Sequence, residues 1–337
     1  MIPLMLSLAL AAPVPKDDKA DRAVREKVDA AREKAVAFLK KQQDRDGSWE
    51  GAGPGNLVGL KGGSTALAAL ALLEAGVPAN DPAVAKAVEY LVALEPAKTY
   101  VVSLQTQVLA RAGAQKHAEQ IQANADWLLK KAIRKNLKLA GWSYPANDVA
   151  DNSNTHFAVT GLHAAARAGA KVDDSVWKEV RQYFAETQKR DGHWTYHNLG
   201  DTSPSQTMTV AGLLALAVAV KYDEKAKKPD PAFDKGMALL LSGKLGEFGS
   251  EGKSHFVALM TVAELGRALG TTEFKTENRA KAWYREGAEK LVKLQQADGA
   301  LVYAGADGRK GGIDAAHPVI STAAGLYFLG PPAPAEK

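Results

Sequence analysis

The chain has 337 residues, of which 46% are hydrophobic and 24% charged, with a formal net charge of +5 and no cysteine. This is the composition of a globular protein, and the lack of cysteine excludes disulfides, thiolate metal sites and thiol nucleophiles. Lys and Arg are interspersed with Asp and Glu, as in "AVREKVDAAREKAVAFLKKQQ", a pattern of solvated helix faces that argues against a nucleic-acid partner.

At the start of the chain, Ile2 to Ala12 is apolar but too short to span a bilayer, and the sequence turns polar at Lys16. Ala9 and Ala11, on either side of Leu10, supply small residues for cleavage, although no Lys or Arg precedes the run. Residues 1–12 are therefore expected to be an export signal, with the protein periplasmic or secreted; a ragged N-terminal helix is the alternative. No later segment reads as an integral membrane span. Residues 20–330 are expected to form one domain, and 331–337 a Pro-rich tail.

Two kinds of helix alternate from there on. Segments 22–43, 81–95, 116–135, 173–188, 231–243 and 277–296 are charged on one face. Between them run "STALAALALLEAG", "TYVVSLQTQVLARAG", "NSNTHFAVTGLHAAARAG", "SPSQTMTVAGLLALAVAV", "KSHFVALMTVAELGRALG" and "HPVISTAAGLYFLG". These are nearly apolar all round and rich in small residues. An amphipathic helix can face water, whereas one that is apolar on every side must be enclosed. Six exposed helices alternating with six enclosed ones predict an all-α, (α/α)6 toroid, a double ring whose inner helices surround a centre. An open superhelix is the competing architecture. No strand pattern is seen.

Several charged helices end in one grammar: Gln, two residues, Asp-Gly, one residue, then a large apolar side chain. The members are Gln43, Asp46, Gly47 and Trp49; Gln188, Asp191, Gly192 and Trp194; and Gln295, Asp298, Gly299 and Leu301, with Gly141 and Trp142 as a weaker copy. The glycine accepts a left-handed backbone and stops the helix, and the aromatic covers the helix end.

These turns and the alternating helices resemble the repeats of squalene-hopene cyclases and, more widely, of the terpene cyclase and protein prenyltransferase toroids, from about Arg22 to Gly330. The resemblance implies a small apolar or amphipathic, isoprenoid-like ligand in a central cavity. Those cyclases carry an Asp-x-Asp-Asp-Thr segment whose middle Asp protonates the substrate. In "DVADNSNT" Asp148 and Asp151 match the outer carboxylates, but the middle position is Ala150. The zinc triad of the prenyltransferases requires a cysteine and is absent. If the chain is an enzyme, its activity would be cyclase-like or prenyltransferase-like, or that of a saccharide lyase.

The toroid would gather the N-termini of its inner helices at one end, where partial positive charge and unpaired N–H groups suit a polar ligand. His156, with Asp151 or Asp148, is the best acid/base pair on offer there. Asn152, Asn154, Tyr144, His193, Tyr196, His197, His255, Tyr303 and His317 are the accompanying ligand-binding candidates. Such a set suits a lyase or hydrolase acting on an acidic saccharide. Asn152, Ser153 and Asn154 also read as ordinary helix caps. A zinc set from His193, His197, His255 and Asp151 is conceivable, but His193 and His197 flank a turn, and no metal or cofactor is expected. A non-catalytic protein-binding scaffold is the third reading. The patterns fix no oligomeric state.

Overall fold

A computed structural model describes residues 19–50, 61–144, 149–198, 200, 203–223, 230–246, 255–302 and 317–332. The expected export signal, and the tail from residue 333, lie outside these residues. The six outer helices are α1 (Lys19–Lys41), α3 (Pro82–Val92), α5 (Ala118–Lys130), α7 (Asp174–Thr187), α9 (Pro231–Leu241) and α11 (Trp283–Leu294). The six inner helices are α2 (Gly63–Glu74), α4 (Thr99–Gly113), α6 (Asn152–Arg167), α8 (Gln206–Lys221), α10 (His255–Leu269) and α12 (Pro318–Leu329).

Each inner helix packs on the inner helix before and after it, and α12 packs back on α2. The ring is therefore closed, a double-layered (α/α)6 toroid. Composition explains the layering: Gly63 to Leu72 of α2 are all buried, and so are Val319 to Leu329 of α12. Outer helices bury one stripe only, such as Val176, Trp177, Val180, Tyr183 and Phe184 of α7. Small residues let the layers approach. A Cβ built on Gly212 of α8 would lie 2.6 Å from Trp194 Cδ2, so a larger residue there would overpack the core.

The Gln-Asp-Gly turns tie neighbouring units together. Gln43 Nε2 donates to Gly47 O of its own turn at 2.9 Å and to Ala83 O of α3 at 2.8 Å. Gln188 does the same with Gly192 O and Ala232 O, and Gln295 with Gly299 O and Ala31 O. The last of these joins the turn that follows Leu294 to the first helix. Gly192 has φ +106, and a Cβ there would meet Lys235 O at 2.9 Å, so both backbone conformation and space require glycine. Trp49, Trp142 and Trp194 are fully buried, each donating its indole N–H to a carbonyl near the end of the preceding outer helix: Leu39, Leu128 and Phe184. The bulky residue's own N–H goes to a threonine in the first turns of the next inner helix: Thr65, Thr155, Thr209 and, for Leu301, Thr322.

The structure corrects the sequence reading in one respect, because two antiparallel hairpins interrupt the helices. Helix α5 stops at Lys130, and β1 (Ile133–Lys135) pairs with β2 (Lys138–Gly141). The turn residues Asn136 and Leu137 have φ 50 and 65, the left-handed pair of a two-residue hairpin. Likewise β3 (Phe274–Thr276) pairs with β4 (Arg279–Lys281) ahead of α11. Strands this short show too few alternations to stand out against a charged helical background.

Candidate functional site

At the N-terminal ends of the inner helices, most of the expected site residues hold the fold together. Asp151 is the N-cap of α6: its Oδ1 accepts from Ser153 N at 2.7 Å, from Asn154 N at 3.1 Å and from the Ser153 hydroxyl. Asn152 is locked on three sides, donating to Thr195 O at 2.7 Å and Asn198 Oδ1 at 3.1 Å and accepting from Tyr183 OH at 2.7 Å. Tyr196 lends its carbonyl to Asn152 N. His197 forms an isolated bridge with Asp151, its Nδ1 3.9 Å from Asp151 Oδ2. His193 is buried and paired through Nδ1 with Asp191. Tyr144 stacks on Tyr100 with centroids 5.9 Å apart. His317 occupies the N-cap position of α12, where burial pulls its pKa down.

Asn154 is fully buried, and neither end of its amide has a hydrogen-bond partner among the described residues; His193 Nε2 and His317 Nδ1 are likewise buried without one. Asp148 and Tyr303 lie outside the described residues, as does the side chain of His255, which begins α10. No three His, Asp or Glu side chains among the described residues come together as a metal-ligand set. A cavity of about 810 Å³ at this end is bounded by α1, α12 and the turn after α11, with Phe38, Trp49, Asp298 and His317 in its wall.

His156 takes a different direction from its neighbours. It reaches away from Asp151 to α10, where its Nε2 lies 2.9 Å from Glu264 Oε2, both side chains at least nine-tenths buried. This pair joins the expected region to one that the sequence left unmarked.

At the C-terminal ends of the inner helices lies a cavity of about 780 Å³ to which all six contribute. Leu73, Ala110, Ala164, Leu214, Val218 and Ala268 supply apolar wall. Glu74, Arg111, Arg167, Lys221, Glu264 and Arg267 supply charge, with His163 and Tyr327 among them. Glu74 bridges two arginines, Oε2 to Arg111 Nε at 3.0 Å and Oε1 to Arg267 Nε at 3.2 Å. His163 pairs through Nδ1 with Tyr222 OH at 2.7 Å. Its pKa falls to about 3, through burial first and then the positive charges of Lys221, Arg167 and Arg111. Burial likewise raises the Tyr222 hydroxyl to about 12. The available signal was one basic residue in the last turn of each of four consecutive inner helices. In sequence this reads as ordinary complementation of the helix dipole.

No family model matches the sequence, and no curated protein does. Solved structures do match, among them type II terpene cyclase MstE from Scytonema. A substituted form of MstE in complex with geranylgeranyl dihydroxybenzoate, its substrate, gives a TM-score of 0.59 at 15% identity, covering 92% of this chain and 99% of that one. A second substituted form, with the product merosterolic acid A, gives 0.57 at 15% identity, covering 91% and 97%. The apo enzyme gives 0.56 at 15%, covering 90% and 97%. A likeness at that identity is one of fold: this chain is an (α/α)6 toroid of the terpene cyclase type.

Proposed function

We propose that this protein is an exported toroid that binds an apolar or amphipathic, isoprenoid-like ligand in the cavity at the C-terminal ends of its inner helices. The cavity itself carries the reading. It is built by all six inner helices, has aliphatic walls, and is of the size that accommodates a ligand of tens of atoms. The isoprenoid substrate of MstE gives the reading chemical precedent on the same fold. Export rests on the apolar run of residues 2–12.

Cyclisation by alkene protonation is not part of the proposal, because Ala150 stands where the squalene-hopene cyclases have their acid. The polar-substrate alternative, a lyase or hydrolase working with His156 and Asp151, would require Asp151 to be released from its cap and His156 from Glu264. The test is native mass spectrometry of the full chain with geranylgeraniol. A one-to-one adduct is expected, and it should be lost when Ala164→Trp fills the cavity. An adduct that survives this substitution in a folded protein places binding elsewhere and overturns the proposal.

A further inference from the structure

The rim of this cavity is more polar than helix-end complementation requires. A cation placed against a helix C-terminus is ordinarily an exposed side chain with water around it. Arg267 is not: its side chain is 9% exposed and lies over the Tyr327 ring at 4.7 Å. Its Nε donates to Pro331 O and its Nη2 to Tyr327 O, while Nη1 is buried without a hydrogen-bond partner among the described residues. One turn deeper on the same helix is Glu264, whose Oε2 is taken by His156 and whose Oε1 is likewise buried and unpartnered.

Residues three apart on a helix are surface neighbours. Arg267 and Glu264 both line the cavity, so its wall holds one guanidinium nitrogen and one carboxylate oxygen that have no hydrogen-bond partner among the described residues. Arg267 already pairs with Glu74 and Glu264 with His156, but a buried polar atom left without a partner is costly, so the two atoms call for a molecule carrying the complementary groups at similar spacing. Arg111, Arg167 and Lys221 on the same wall make the rim predominantly positive.

We infer that this rim is a head-group site for an amphipathic oxyanion bearing a nearby hydroxyl or amine. A carboxylate or phosphate ester meets Arg267 Nη1 within the basic rim. A hydroxyl or amine a few atoms away donates to Glu264 Oε1, and the apolar remainder lies along Leu214 and Val218. This rests on the reading of the cavity as a ligand site and adds the chemistry of the ligand's polar end.

The test is calorimetric titration of the full chain with four probes of one chain length: 2-hydroxydodecanoate, dodecanoate, dodecan-1-ol and dodecyl phosphate. The expected order is hydroxy acid, then acid, then alcohol, with steps of about tenfold, the size of one charge-assisted hydrogen bond. Arg267→Met should remove the step between acid and alcohol. Glu264→Gln, which keeps a partner for His156, should shrink the hydroxyl step to about threefold or less and leave the acid step in place. Whether dodecyl phosphate or dodecanoate binds more tightly identifies the oxyanion. Equal binding of alcohol and acid to the unsubstituted protein overturns the head-group site while leaving the cavity reading intact. Failure of all four probes, the alcohol included, overturns both. The ranking on the unsubstituted protein decides the matter even if Arg267→Met does not fold.

Discussion

The two ends of the inner barrel use similar residues for different purposes. At the N-terminal end, several polar side chains are spent on holding the fold, while Ser64 Oγ, Ser143 Oγ, His193 Nε2, His317 Nδ1 and the Asn154 amide are buried without a hydrogen-bond partner among the described residues. Asp151 caps α6, Asn152 holds three partners, and Thr155 and Thr209 receive the backbone N–H groups of Trp142 and Trp194. At the C-terminal end, Glu264 and Arg267 each keep an unpartnered buried atom beside a cavity. A residue suited to chemistry by type is available for it only if the fold has not already used its hydrogen-bonding capacity. Asn154 is the one expected residue at the first end whose whole amide is left over.

Substitutions can break or sharpen this contrast. The largest effect is expected for Trp194→Ala, which empties a fully buried indole and removes its bond to Phe184 O. Urea unfolding should show a loss of about 3–5 kcal/mol. A loss below about 1 kcal/mol would contradict the structural role assigned to the turns.

The next effect is a pH dependence arising at the other end. His163 is held neutral, with its pKa at about 3 instead of the usual 6.5. Between those values the unfolded chain binds a proton that the folded chain does not, so stability falls as the pH is lowered, by about 1.4 kcal/mol per unit. From pH 7 to pH 5 the loss should reach about 2 kcal/mol and should be absent in His163→Gln. By contrast, Asp46 in the first turn has its pKa lowered by hydrogen bonds from Ser48. Its contribution is present above its usual 3.8 and fades only as the pH falls through its lower folded value. The two regions therefore titrate in separate windows, and a single acid transition common to the unsubstituted protein and His163→Gln would remove the distinction.

Asp151→Ala should cost about 1 kcal/mol through loss of the cap while leaving amphiphile affinity unchanged. A large affinity loss without unfolding would return the N-terminal end to candidacy. Smallest of all, Lys138→Ala breaks an exposed ion pair with Glu186 at 3.4 Å. It should move stability by no more than about 0.5 kcal/mol, a floor against which the other changes are read.

The fold was legible because its signals are local. The all-apolar character of α2 or α12 marks an enclosed helix, the charged stripe of α7 marks an exposed one, and Gly47, Gly192 and Gly299 mark where an outer helix ends. The threonines that receive the turns' N–H groups were not legible, because they follow the bulky residue at irregular distances: Thr65 after Trp49, Thr155 after Trp142, Thr209 after Trp194 and Thr322 after Leu301. The hairpins were missed because each strand is three or four residues long.

The candidate site was half legible. His156 was identified, but its partner Glu264 lies 108 residues away, amid an apolar run where one acid reads as incidental. What the sequence by itself determined is the order of enclosed and exposed helices and the turns between them, since periodicity and glycine placement act within a few residues. Only the tertiary structure decided that all six inner helices surround a cavity at their C-terminal ends and which polar atoms are left without a partner there. Pairings such as Glu74 with Arg111 and Arg267, or His156 with Glu264, depend on distances between separate helices, and those are set when the ring closes.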